Sequence, residues 1–352
     1  MRNSVVVCCY SCNLHPLSFQ FVMPRSVPLV GDVIATRSRE YVFVRPINRG
    51  STCIVYEAIN LKTGARVAIK CIGTTGQAPQ TVQRFVDEAT MQSRIQHPHV
   101  VRVVEWLKSN HRVYIVLELM EGGDLNDRIN AAGCLSETTA RSYFQQLVCG
   151  VNHLHRHGLA HRDVKPGNVL LTQDGRTVKL ADFTVTKVTR EHGAAMHSCV
   201  GTIAYMAPEV LETETLQNLP RLPRQWLHEH GVLDPGDGRR APDIARELRV
   251  NVGYDAFKAD VWSLGVVLFT MLAGRRPFDR PTPDETCIAI CSAAWTPSRR
   301  ISAAAMDLIS KMLVVDPQRR LSLDGVAAHP WFTENLDASV AALLVGPRAP
   351  DT

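Results

Sequence analysis

Apolar residues along the chain fall into two regimes, short β-prone runs first and helical spacing later. Residues 41–44, 54–58 and 66–72 are strand-like, with a turn at 60–64 between the last two. Val82, Phe85, Val86 and Ala89 share one face of residues 81–96 and predict a helix. Residues 113–119 form a near-continuous apolar strand. The glycine pair of Met120-Glu121-Gly122-Gly123-Asp124 then marks a break. Beyond it Tyr143, Phe144, Leu147, Val148, Val151, Leu154 and His155 recur at helical spacing. Two short apolar runs, 169–171 and 178–181, flank a turn at Asp174-Gly175. Val261, Leu264, Leu268 and Leu272 predict a buried core helix, and helical spacing continues through 306–315. The pattern is that of an α+β chain, strand-rich before the break and helix-rich after it.

Composition narrows the picture little. A chain of 352 residues holds one large domain or two moderate ones. At 45% hydrophobic and 21% charged it is an ordinary globular composition. The net charge of +5 comes without a Lys/Arg block or a basic-aromatic stripe, so nucleic acid is not an expected partner. Of ten cysteines only Cys8, Cys9 and Cys12 cluster, and none has zinc-site spacing. Reduced thiols in a soluble cytoplasmic or nuclear protein are expected. No uninterrupted apolar run approaches the ~18 residues of a membrane helix, and residues 1–30 lack a signal-peptide layout. Two readings of that stretch stand: cysteines acylated as an anchor, or an unstructured extension upstream of a start at Met23. The second, with 1–40 disordered, is carried forward.

Candidate chemistry centres on His161-Arg-Asp-Val-Lys-Pro-Gly-Asn168, where Asp163, Lys165 and Asn168 bring an acid, a base and an amide into one loop. One hairpin later comes Asp182-Phe183, and Asp182 with Asn168 supplies hard oxygens suited to Mg²⁺. Lys70 sits in the otherwise apolar Val67-Ala68-Ile69-Lys70 and needs an anionic partner if buried. Glu88 on the following helix can turn toward it; a surface lysine and a surface glutamate that never meet is the alternative. The loop Asn48-Arg49-Gly50-Ser51-Thr52-Cys53 between two strands is placed to cover phosphates, yet it has one glycine only.

With Gly201-Thr-Ile-Ala-Tyr-Met-Ala-Pro-Glu209 and Asp260-Val-Trp-Ser-Leu-Gly265 added, the chain from 41 to 332 resembles the eukaryotic protein kinases of serine/threonine type. It looks most like the calcium/calmodulin-dependent and AMP-activated group. The resemblance implies a bilobal fold, with a small β-rich N-lobe (41–120) and a larger helical C-lobe (121–332). It implies ATP and Mg²⁺ as cofactors and a protein Ser/Thr hydroxyl as acceptor. Asp163 would take the hydroxyl proton, Lys165 would steady the phosphoryl charge, and Asn168 and Asp182 would bind Mg²⁺. Thr202 would stand beside the substrate. Lys70 would hold phosphates and pair with Glu88, while Ile47, Asn48, Gly50, Val55 and Ala68 would line the nucleotide. Glu118 and Met120 would offer main-chain groups to adenine, and Asp124 would meet the ribose. Glu209 would pair with Arg320, and Asp260 would be structural. Arg162 implies control by an upstream kinase acting on the activation loop, with Ser198 as acceptor.

The chain departs from the family at several points. Asn48 and Cys53 replace glycines over the phosphates, which predicts weakened ATP binding. Thr184 replaces the glycine of Asp-Phe-Gly and predicts a restricted flip. Gln92 stands where an apolar residue is usual, and either loosens the active arrangement or finds a partner. Gly167 and Thr270 stand where relatives preferring basic substrates often carry acids, so a dominant arginine requirement is not expected. An insertion at about 212–252 reads as a surface loop, and 333–352 as a short tail without a basic amphipathic pattern, so calmodulin control is not supported. The rival readings are a pseudokinase or scaffold with little turnover, suggested by Cys53, Thr184 and Gln92, and a small-molecule kinase, disfavoured by the segment 202–209.

Overall fold

The computed structural model describes residues 4–6, 28–36, 39–50, 53–182, 203–211 and 254–344. Phe183, Thr184, Ser198, Thr202 and the insertion lie outside these. The chain divides into two compact units, residues 1–123 with 171–181, and residues 124–170 with 182–352. The division falls at the glycine pair. Gly122 is required there because a Cβ would stand 2.2 Å from Thr172 O and 2.8 Å from Leu171 O.

The first unit is built on a sheet of order β1-β2-β3-β4-β5-β7-β6. Its strands are β1 (Ser4–Val6), β2 (Val33–Ala35), β3 (Glu40–Arg49), β4 (Cys53–Asn60), β5 (Arg66–Gly73), β6 (Val103–Lys108) and β7 (Arg112–Glu118). Helix α1 (Pro79–Arg94) opens on a proline at its first turn, two residues earlier than its apolar face predicts. Alternation along β5 divides the unit's core. Val67, Ile69 and Cys71 pack with Tyr41, Phe43 and Tyr56. Ile72, on the other face with Ala68 and Lys70, packs with Val113, Ile115, Ala89 and Phe85. The sheet begins earlier than residue 41. Ile34 is buried in it, and the Tyr56 hydroxyl donates to Pro28 O at 3.0 Å, so residues 28–36 are tied to the unit instead of trailing from it.

The segment 171–181 belongs to the first unit through main-chain bonds, Val101 N to Leu180 O at 2.8 Å and Leu180 N to His99 O at 3.0 Å. His99 is buried there with its Nδ1 3.1 Å from Val178 O. Burial pulls its pKa below 6.5, against the Val178 carbonyl, which raises it. The fold therefore favours neutral His99, and the unfolded chain takes up the proton first as pH falls. Its stabilising effect is complete above the unfolded pKa of about 6.5 and is lost as pH drops from there toward the folded value. His99→Asn is expected to flatten this part of the profile, seen as a smaller loss of urea midpoint between about pH 7.5 and about pH 5.5.

The second unit holds α2 (Leu125–Ala132), α3 (Glu137–Arg156), β8 (Val169–Leu171, whose last residue counts with the first unit), α4 (Ala256–Ala273), α5 (Pro283–Cys291) and α6 (Ala303–Met312). Strand β9 (Val178–Leu180) pairs with β8. Helix α4 is long and apolar enough to span a membrane, but 78% of it is buried, as in a core helix. Trp262 stacks on Phe278 at 5.3 Å, and Phe144 meets Trp331 and Phe332 edge-on. In the tail, residues 338–344 are helical, with Cys149 Sγ 3.5 Å from Val340 O and Arg156 Nη2 donating to Leu344 O at 2.5 Å.

Candidate active site

In the second unit the loop 161–168 is held from beneath by α4. Asp255 caps that helix by accepting from Phe257 and Lys258 N–H. One turn in, Asp260 is buried to 1% exposure. Its Oδ2 accepts from His161 N and its Oδ1 from Arg162 N, each at 2.8 Å. Oδ2 also meets His155 Nε2 at 2.8 Å. These bonds hold Arg162 at φ 64, a left-handed conformation costly for a side chain of this size. Asp182 is held likewise at φ 58. Two of the four such non-glycine residues among those described thus fall on the predicted chemistry.

The turn at Arg162 aims Asp163. Lys165 Nζ donates to its Oδ2 at 2.9 Å, and Asn168 Nδ2 donates to the same oxygen at 3.0 Å and to Asp163 O at 2.8 Å. Oδ1 takes no hydrogen bond among the described residues. One oxygen is fixed, and the other can accept a proton. Because Asn168 spends its amide N–H on Asp163, its carbonyl oxygen is the atom left for a cation. With the exposed carboxylate of Asp182, that donor set fits Mg²⁺, which completes its shell with water and phosphate oxygens. Beside Asp163 is a small recess lined by Arg162, Tyr205, Met206, Tyr254 and Ser263. Ser263 Oγ donates to Tyr205 O at 2.8 Å and ties this platform to α4. Glu209 and Arg320 meet in a two-point ion pair at 2.7 and 2.9 Å.

In the first unit, Lys70 on β5 lies opposite Val55 on one side and Ile115 on the other. Val55, Ala68 and Lys70 therefore share a sheet face, and Asn48 pairs with Val55 at the start of the lid. Gly50 N donates to Cys53 O at 2.9 Å, and a Cβ on Gly50 would lie 3.5 Å from Cys53 Sγ. Cys53 packs against the cluster that contains Ile72, Val113 and Ile115. Ile47 is exposed. On α1, Gln92 has found a partner: its amide donates to Glu88 Oε1 at 3.3 Å, both residues being buried.

Glu118 N donates to Arg102 O at 3.0 Å, and Met120 stands two residues on. The Glu118 carboxylate has a task that periodicity did not reveal. Both oxygens accept from Lys179 Nζ at 2.8 Å, and Oε1 accepts from Arg102 N at 2.7 Å. A lysine inside the apolar run 178–181 was the signal for it. Lys179→Met is expected to cost about 1–2 kcal/mol, between an exposed and a buried pair, read as a lower urea midpoint. Asp124 caps α2 by accepting from Asp127 N at 2.8 Å, and burial raises its pKa.

A family model described as protein kinase domain matches residues 41–219 and 240–332. The chain is 36% identical over 320 residues to CBL-interacting protein kinase 4 of Oryza sativa subsp. japonica, covering 87% of this chain and 61% of that protein. It is 31% identical over 311 residues to serine/threonine-protein kinase cds1 of Schizosaccharomyces pombe, covering 86% and 60%. Against the SNF-related serine/threonine-protein kinase of Rattus norvegicus it is 32% identical over 303 residues, covering 86% and 35%. The chain thus spans less than two thirds of the length of these relatives.

Proposed function

This chain belongs to the protein kinase domain family, and on that footing we propose that it transfers the γ-phosphoryl group of ATP to a serine or threonine hydroxyl of a protein. The observation that carries this reading is Asp163, clamped through one oxygen by Lys165 and Asn168 with the other left unengaged. The acceptor hydroxyl gives its proton to that second oxygen while its own oxygen bonds to the γ-phosphorus. The bond from phosphorus to the bridging oxygen breaks, and ADP leaves with the electron pair. Lys165 balances charge on the transferring group, and Lys70, paired with Glu88, orients the phosphates. Mg²⁺ held by Asn168 and Asp182 would neutralise the phosphate oxygens. On this reading Thr202 would stand beside the acceptor, and an upstream kinase would act on Ser198 with Arg162 as the phosphate clamp. The protein works in the cytoplasm or nucleus.

The competing reading is a kinase-shaped binding protein, favoured by the Gln92 bond to Glu88, which draws on the carboxylate meant for Lys70. Incubation of the purified chain with γ-labelled ATP, Mg²⁺ and a Ser/Thr peptide mixture separates the two. Label is expected on serine or threonine and is expected to vanish with Asp163→Asn. Equal labelling by the two proteins, or none by either, would sink the proposal.

A further inference from the structure

Between residues 274 and 300 the sequence carries Arg275, Arg276, Arg280, Arg299 and Arg300 against Asp279, Asp284 and Glu285. The fold of the second unit brings three of them, Arg275, Arg280 and Arg300, onto two short stretches. A Cβ on Gly274 would lie 1.8 Å from Gly133 O and 3.4 Å from Cys134 Cβ, so Arg275 starts where the loop before α3 passes. Arg300 reaches the same loop, with Nη1 3.8 Å from Cys134 Sγ. Arg275 Nη2 donates to Thr296 O at 3.1 Å, and its guanidinium lies 5.3 Å over the Phe269 ring. Arg280 Nη2 donates to Ala294 O at 2.6 Å. Phe269 in turn meets Trp295 edge-on at 5.8 Å, which closes the array.

What holds Arg275, Arg280 and Arg300 is neutral. Their partners are main-chain carbonyls, an aromatic face and a cysteine sulfur. Asp279 is committed to Arg276 at 2.6 Å. Among the described residues none of Arg275, Arg280, Arg299 and Arg300 makes an ion pair, and all four are exposed. Guanidinium groups already pinned in place lose less freedom on meeting an anion.

We propose that this surface docks an Asp/Glu-rich segment of a partner protein. Arg275, Arg280 and Arg300 are anchored on three different residues, Thr296, Ala294 and Cys134, which offers several separate contact points. Separate points suit several carboxylates better than one phosphate. A membrane surface would want apolar groups to insert, and on the adjoining α5 only Ile288 is both large and exposed.

The test is fluorescence anisotropy of the full chain with a labelled peptide of alternating Glu and Gly. A Gln/Gly peptide, a singly phosphorylated serine peptide and phosphatidylserine vesicles serve as the other arms. The Glu peptide is expected to bind best, and more weakly as salt rises. Arg275→Glu with Arg280→Glu should raise its Kd about tenfold or more, while Lys62→Glu, an exposed lysine of the first unit, should change it less than about twofold. Arg275→Gln with Arg280→Gln keeps donors for the Thr296 and Ala294 carbonyls, so a several-fold loss is expected there without disturbing the loop. Unchanged affinity in the Gln pair, or tighter binding of the phosphopeptide or the vesicles, would overturn the proposal.

Discussion

Asp163→Asn is expected to lower kcat by about 10²–10⁴-fold, the usual contribution of a positioned general base, with KM for ATP changed only a few-fold. The substitution preserves shape but removes the proton acceptor. In the native loop both donors, Lys165 Nζ and Asn168 Nδ2, fall on Oδ2. On the proposed mechanism the proton goes to Oδ1, and an amide offers no basic atom in its place. The loop itself should persist, because its conformation is set by Asp260 accepting from the main chain of His161 and Arg162. An unfolding midpoint close to the parent's would show that chemistry was lost and not structure. A kcat within about tenfold of the parent would mean Asp163 is not the proton acceptor.

The largest stability effect is expected at Arg320. Its side chain is 0% exposed, and Glu209 is its carboxylate partner at 2.7 Å. The guanidinium also donates to the carbonyls of Val314, Val315 and Lys258, and lies 5.1 Å over the Trp262 ring. Glu209→Ala leaves a buried cation without its anion, at an expected cost of about 3–5 kcal/mol. Replacing both partners, Glu209→Ala with Arg320→Met, removes the stranded charge and should recover part of that loss. Urea unfolding of the three proteins measures this. A single-variant loss under about 1 kcal/mol would mean water reaches Arg320 once Glu209 is gone.

Much of the site was legible along the chain, and for a definite reason. Alternation in residues 66–72 places Ala68 and Lys70 on one face of β5, opposite Val55, because a strand's period determines facing before any partner is known. The α3 pattern likewise foretells its buried side. The loop 161–168 keeps Asp163, Lys165 and Asn168 so close in sequence that local geometry alone brings them together.

Other contacts were beyond that reach. Nothing in residues 161–162 announces Asp260 as the acceptor of their N–H groups, nearly a hundred positions away. Lys179 reads as an oddity in an apolar run until β9 lies beside Glu118. Gln92 had two open fates; its bond to Glu88 is an i,i+4 contact along α1, which helical spacing offers without choosing it. Residues 28–36 looked like the end of an extension until Tyr56 and the edge of β3 supplied partners.

The sequence by itself determined the α+β order of elements, the family, and the short-range cluster around Asp163. Tertiary structure decided which charges are compensated: Arg320 by Glu209, Lys179 by Glu118, and the arginines around residues 294–296 by no carboxylate among the described residues. Periodicity encodes burial, which is a local property of spacing. A charge's partner depends on which distant segments the topology brings within a few ångströms, and spacing along the chain carries no record of that.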